Sequence, residues 1–130
     1  MAKTEKKVLV VDDDEGLLEL LNNILTEANF TVFTALNSGR AFEILEAEVI
    51  EVIFLDLCLP GESGIDICIK IRKDNAIAII YAVTAFTDTF DAFDCRYYGF
   101  DDIFKKPFNN KEIIGAAKDA FKKLKRWKYI

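Results

Sequence analysis

The chain has 130 residues, 52% hydrophobic and 30% charged, a balance that describes one globular domain with a sizeable core and not a disordered segment. The net charge of -5 argues against nucleic acid as the main partner, and no apolar run approaches the ~20 residues a membrane span needs. Histidine is absent and the three cysteines (Cys58, Cys68, Cys95) form no CxxC pair, which excludes Ser-His-Asp and Cys-His catalysis and histidine-based zinc sites, and fits reduced thiols in a cytoplasmic protein.

Met1 to Lys6 lacks the apolar core of a signal peptide and reads as a disordered, solvated lead-in. Lys7-Val8-Leu9-Val10-Val11 is an apolar, β-branched run without alternation, predicting a strand buried on both faces. It stops at Asp12-Asp13-Asp14-Glu15. Leu17, Leu18, Leu21, Leu25 and Ala28 then recur at helical spacing, with Asp14 as N-cap. Phe30 to Ala35 reads as a second strand, and Asn37-Ser38-Gly39 leads into a helix carrying Ala41, Phe42, Ile44 and Leu45. Val49 to Leu55 reads as a third strand that delivers Asp56 to its carboxyl end. Leu59-Pro60-Gly61 breaks the pattern before a helix whose apolar positions are Ile65, Cys68, Ile69 and Ile71.

Ala76 to Val83 is another unbroken apolar strand, ending at Thr84. Thr87-Asp88 to Tyr98 has helical spacing and many aromatics, with Gly99 as C-cap. Asp102 to Lys105 is a short last strand before Lys106-Pro107, whose X-Pro bond is a candidate for cis. Asn109 or Asn110 caps a final helix with a stripe of Ile113, Ile114, Ala117, Phe121, Leu124 and Trp127. Its basic end, Lys122 to Lys128, suits a helix C-terminus.

Strand and helix thus alternate five times, predicting an α/β doubly wound parallel sheet with helices on both faces. Ligands of such sheets bind beyond the carboxyl ends of the strands, at the topological switch point. There the chain places Asp12, Asp13, Asp56, Thr84 and Lys106. Carboxylates packed together raise one another's pKa unless a cation sits among them, and a hard divalent ion with oxygen ligands, magnesium, fits best. An ammonium and a hydroxyl suit phosphoryl oxygens, leaving Asp56 as a nucleophile for an aspartyl phosphate.

Val8-Leu9-Val10-Val11-Asp12-Asp13, Asp56-x-x-Leu59-Pro60-x-x-x-Gly64, Thr84-Ala85 and Lys106-Pro107-Phe108 together resemble the receiver domain of two-component response regulators. The resemblance runs from about Lys7 to Leu124 and implies the flavodoxin-like strand order 2-1-3-4-5. It divides the chain into a lead-in at 1–6, a receiver at 7–126 and a tail at 127–130. It implies that Asp56 accepts phosphoryl from a sensor histidine kinase or histidine phosphotransfer protein. It implies magnesium held by Asp12, Asp13, Asp56 and the Cys58 backbone carbonyl. Thr84 and Lys106 would meet the phosphoryl oxygens, a cis bond to Pro107 placing the lysine. The resemblance makes the chain a signalling phosphoacceptor and not an enzyme acting on other substrates. A downstream protein target would read the face of the fourth helix, fifth strand and fifth helix, which in this family also supports homodimers. No membrane or nucleic-acid partner is expected.

Some positions depart from that pattern. Leu59 stands where methionine is common, a volume-conserving change. Ile103 stands where receivers carry a switch tyrosine or phenylalanine, so the switch is expected to be weaker or to move Phe104 or Tyr98; a receiver-like interaction module is the alternative function. Tyr97 replaces a small residue and, with Phe86, Phe90, Phe93, Tyr98 and Phe100, reads first as added core and second as a docking patch. A flavodoxin-type flavin module would need a phosphate cradle where Asp12 to Glu15 repel phosphate. A haloacid-dehalogenase-type phosphatase would need Asp at Cys58. Cys58 and Phe86 occupy positions that in receivers flank the phosphoryl group, and neither is a base for a hydrolytic water, so the resemblance implies slow self-dephosphorylation. Phe86→Glu should shorten the aspartyl-phosphate lifetime; an unchanged lifetime would refute that role.

Overall fold

Four consecutive aliphatic residues after Lys7 suit a strand covered on both sides, and Lys7–Val11 forms β1 with Val8 to Val11 buried. The structure, a computed structural model, describes residues 5–85 and 92–128. Phe86, Phe90, the expected helix start at Thr87-Asp88, the side chain of Phe93 and residues 1–4 of the lead-in lie outside the described residues. After β1 come α1 (Glu15–Glu27), β2 (Thr31–Ala35), α2 (Ser38–Ala47), β3 (Val52–Leu55), β4 (Cys58–Leu59), β5 (Glu62–Ser63) and α3 (Gly64–Asp74). They are followed by β6 (Ile79–Thr84), α4 (Ala92–Tyr97), β7 (Asp102–Lys105) and α5 (Asn110–Lys128).

The five longer strands form one parallel sheet in the order β2-β1-β3-β6-β7, which is the expected 2-1-3-4-5 once the small β4-β5 ribbon is set aside. Alternation along each strand sends side chains to opposite faces. Val8, Val10, Val52 and Phe54 pack with Leu18, Leu21 and Leu25 of α1 and Ile113, Ala117, Ala120 and Leu124 of α5. Leu9, Val11, Ile53 and Leu55 pack with Ala41 and Ile44 of α2, Ile67, Cys68 and Ile71 of α3, and Cys95 of α4. Helices therefore cover both faces, as alternating strands and helices require.

Local signals set most element ends. Asp14 caps α1 by accepting the Leu17 N–H at 3.2 Å, and Asn109 accepts the Lys111 N–H at 2.8 Å at the start of α5. Gly99, at φ +105°, ends the turn after α4, where the Phe100 N–H donates to the Cys95 carbonyl at 2.8 Å.

Several expectations need correction. The third strand begins at Val52 and not Val49, which is 80% exposed; the fourth main strand begins at Ile79, leaving Ala76 and Ile77 in a turn. Apolar runs overran the sheet because hydrophobicity alone carries no mark of where pairing stops. On α3 the buried face is Ile67, Cys68 and Ile71, with Ile69 turned outward. Trp127 is 56% exposed although it continues the stripe of α5, and the helix runs on to Lys128, which reaches Glu51 at 2.7 Å. The β4-β5 ribbon, antiparallel through Cys58↔Ser63 and Leu59↔Glu62, was not expected.

Arg72 ties together the edge farthest from β2. Its Nε donates to the Gly99 carbonyl at 2.8 Å, its guanidinium reaches the carbonyls of Ala76 and Ala78, and it pairs with Asp101 at 2.7 Å. Asp101 also accepts the Ile80 N–H at 2.8 Å. A Cβ on Gly99 would stand 3.0 Å from Arg72 Cγ, so the glycine serves both the turn and this packing. Arg72→Met should lower the unfolding free energy by about 2–3 kcal/mol, because Asp101 and several carbonyls lose a half-buried partner. Urea unfolding would show this as a lower midpoint at constant slope; a change under about 0.5 kcal/mol would mean water replaces the arginine freely.

Candidate functional site

β1 has β2 on one side and β3 on the other, so the direction of winding reverses between β1 and β3. Val11 and Leu55 are register partners there, and Asp12 and Asp56 are the next residue on each strand. The backbone continues in pairing at this level, with Asp56 N–H donating to the Val11 carbonyl and Asp12 N–H to the Ala35 carbonyl, both at 3.0 Å. Adjacent strands lie about 4.8 Å apart, so register alone makes these carboxylates neighbours. Both are buried, at 2% and 5% exposure. Asp13 is exposed at the rim, and one oxygen from each of Asp12, Asp13 and Asp56 lies within 4.8 Å of the others.

Lys106 enters from the far side of the sheet. Its N–H donates to the Thr84 carbonyl at 2.9 Å, and its peptide bond to Pro107 is cis. Its ammonium donates to Asp12 Oδ2 at 2.7 Å and to Asp56 Oδ2 at 3.3 Å. Thr84 is fully buried at the end of β6, on the same face of the sheet as Ile80 and Ala82 by alternation. The sequence-predicted Asp12, Asp13, Asp56, Thr84 and Lys106 thus stand on one edge.

Burial pushes the Asp56 carboxyl above its ordinary pKa. The Cys58 N–H, donating at 3.1 Å, opposes this, the charge of Asp12 adds to it, and Lys106 opposes it. Burial by itself would lower the Lys106 ammonium, but hydrogen bonds and charge from Asp12 and Asp56 raise it above its ordinary value. One ammonium thus serves two buried carboxylates, and a third carboxylate adjoins them. The donor set is all hard oxygen, with nitrogen only as an ammonium that cannot ligate, so it fits magnesium and not a soft metal.

The loop after Asp56 is shaped to keep this arrangement. A Cβ on Gly64 would overlap the Asp56 carbonyl oxygen and stand 2.7 Å from Leu57 Cα, so only glycine lets α3 start this close to β3. The Gly64 N–H donates to the Leu57 carbonyl at 3.0 Å, and Ser63 caps α3 by accepting the Ile65 N–H at 3.2 Å. Glu62 accepts hydrogen bonds from the backbone N–H and hydroxyl of Ser38, tying this loop to the first residue of α2. The Ser38 bonds hold the Glu62 carboxyl below its ordinary pKa. Sequence reading missed this strap, since Glu62 in a Gly-Glu turn and Ser38, 24 positions earlier, carry no local sign of each other.

Residues 8–118 match the family model of the response regulator receiver domain. The chain belongs to this family. It is 36% identical over 107 residues to the "uncharacterized transcriptional regulatory protein YrkP" of Bacillus subtilis, covering 82% of this chain and 46% of that protein. It is 33% identical over 121 residues to the regulatory protein VanR of Enterococcus faecium, covering 93% and 52%. The chain therefore spans about half the length of these curated relatives. Among solved structures, the BeF3-activated receiver domain of DrrB, a Thermotoga maritima protein, superposes with a TM-score of 0.83 at 27% identity, covering 92% of this chain and 99% of that one. Receivers of this family are signalling phosphoacceptors of two-component systems that bind magnesium at an acidic pocket and work with histidine kinases and downstream targets. No described helix is long and apolar enough to cross a membrane.

The receiver's departures now have places. Ile103 is partly buried and packs against the core on the face that carries Thr84, whereas Phe104 lies on the opposite face with its ring edge-on to Tyr81, centroids 5.4 Å apart. Alternation therefore separates Phe104 from the Thr84 side, against the expectation that it could stand in for the switch aromatic. Of the described aromatics near α4, only Phe100 is core; Tyr97 is 76% exposed and Tyr98 is 36% exposed, the two rings edge-to-face at 5.2 Å. Tyr97 is not added core.

The cysteines differ sharply. Cys58 is exposed beside Asp56, Cys95 is buried, and burial pushes the Cys68 thiol up to about 12. Iodoacetamide on the folded protein near pH 8 should label Cys58 alone, and all three thiols after unfolding. Native labelling of Cys68 at the rate of Cys58 would contradict the placement of α3.

Proposed function

We propose that this receiver takes a phosphoryl group onto Asp56 from a phosphohistidine on a sensor histidine kinase or a histidine phosphotransfer protein. The single observation that carries the reading is the convergence of Asp12, Asp13, Asp56 and Lys106 at the switch point of the sheet. A carboxylate oxygen of Asp56 attacks phosphorus, the P–N bond breaks, and its electron pair returns to the partner's imidazole, which is a stable leaving group. Asp12, Asp13, Asp56 and the Cys58 carbonyl would hold magnesium, whose charge offsets the repulsion between carboxylates and phosphoryl oxygens. Lys106 already bridges Asp12 and Asp56, and its ammonium is within reach of a phosphoryl oxygen on Asp56. Thr84 supplies the hydroxyl on the neighbouring strand.

The site works within residues 7–126, with 1–6 as lead-in, while Trp127 and Lys128 continue α5. The family supports a cytoplasmic location and a downstream protein target reading the face of α4, β7 and α5, through which copies could also pair. The haloacid-dehalogenase reading finds Cys58 where its second aspartate would stand, and the Cys58 side chain is an exposed thiol with no carboxylate to offer.

Incubation with magnesium and acetyl phosphate should add one phosphoryl group by intact mass, which does not form when the metal is chelated beforehand and is absent in Asp56→Asn. Lys106→Ala should slow its formation by at least tenfold, the order expected for removal of a charged hydrogen bond made to the transferring group. Phosphorylation persisting in Asp56→Asn would move the acceptor elsewhere, and no adduct in the wild type would refute the reading.

A further inference from the structure

A groove of about 330 Å³ opens between β7 and α5, on the opposite face of the sheet from Ile103. Its walls include the rings of Tyr81 and Phe104 and the backbone of α5 at Gly115. Tyr81 is held rigid there, its hydroxyl donating to the Ala116 carbonyl at 3.2 Å and its ring in contact with both Phe54 and Phe104. The rim carries Asp102, Glu112 and Asp119 against a single lysine, Lys111. None of these four makes an ion pair among the described residues, whereas the adjacent Asp101 pairs with Arg72 at 2.7 Å and approaches Lys123 at 4.0 Å.

Gly115 is the independent clue. It sits in the interior of a 19-residue helix, where glycine is the least favourable residue after proline. A Cβ there would meet nothing within 4 Å, so neither a close contact nor a turn in the fold calls for glycine. Its effect is to leave the mouth of the groove open.

We propose that this groove receives an arginine side chain of a partner protein. A guanidinium is planar and weakly hydrated, so it can lie against the Tyr81 and Phe104 rings while its forked N–H groups meet carboxylates on the rim. Three carboxylates against one ammonium give the charge complementarity, and a lysine ammonium would match the carboxylates but not the aromatic walls. β7 and α5 belong to the face assigned above to the downstream target, so the proposal rests on that reading and adds the chemistry of the contact.

The test uses the whole chain without magnesium or a phosphoryl donor, so its failure leaves the chemistry of Asp56 untouched. N-acetyl-arginine amide titrated into the 15N-labelled protein should give saturable amide shifts centred on Asp102, Phe104, Gly115 and Ala116. N-acetyl-citrulline amide, of the same shape but uncharged, should bind at least tenfold more weakly. Gly115→Leu should abolish the shifts while keeping the thermal midpoint at or above that of wild type. Should that variant fail to fold, the surface pair Asp102→Asn with Asp119→Asn should weaken binding at least fivefold. Equal shifts with citrulline, shifts confined to Asp12, Asp13 and Asp56, or binding that survives both sets of changes would overturn the proposal. So would a dimer in sedimentation that Gly115→Leu dissolves, which would assign the groove to a second copy of this chain.

Discussion

The ammonium of Lys106, 2.7 Å from Asp12 and 3.3 Å from Asp56, is the contact on which the working edge of the receiver depends. Two buried carboxylates on adjacent strands would otherwise face each other in a poorly hydrated setting with no opposite charge between them. The fold cannot separate them, because Val11 and Leu55 are register partners and each aspartate is simply the next residue. Moving either one would shift a strand by one position and turn its core side chains toward the wrong face. The fold therefore places the repulsion permanently and offsets it with an ammonium supplied by its own chain.

That arrangement explains much of the surrounding backbone. α3 must begin almost against the Asp56 carbonyl, which only Gly64 permits. The ribbon of β4 and β5 turns the chain back on itself so that Cys58 N–H can donate to Asp56 while Glu62 reaches Ser38. At the other end of the site, Lys106 is held through its own N–H to the Thr84 carbonyl. Lys106 is thus anchored by its backbone at a strand end, and the Cys58 N–H is held by the ribbon that follows Asp56.

Much of this was legible in the residues. Unbroken apolar runs marked three of the five main strands, since a strand covered on both faces needs no polar alternation, and the polar residues just past β1, β3 and β7, with Thr84 closing β6, are those that the sheet brings to one edge. What stayed hidden was of two kinds. Strand limits at Val49 and Ala76 failed because an apolar residue just outside a sheet looks like one just inside it. Ile67 and Ile69 were exchanged because both fit a loosely spaced helical stripe, and Trp127 because a stripe continues past the point where the sheet ends. The link from Glu62 to Ser38 and the roles of Arg72 depend on contacts between distant segments, which no local pattern encodes.

β7 shows how the two faces of the sheet divide the work of the receiver. Four residues long, it places Ile103, partly buried, against the core on the Thr84 face and Phe104 against Tyr81 on the other, with Asp102 at its start and Lys106 just past its end. A half-buried isoleucine lacks the amphipathic swing of a tyrosine, which can trade a buried ring for an exposed hydroxyl. A signal from Asp56 that used side-chain rotation at position 103 would find little to rotate. Lys106, however, is joined to the acid cluster by its ammonium and to β6 by its backbone, and Phe104 stands two residues before it as a wall of the groove. Through these contacts Lys106 joins the acid cluster to the strand whose Phe104 lines the groove on the other face.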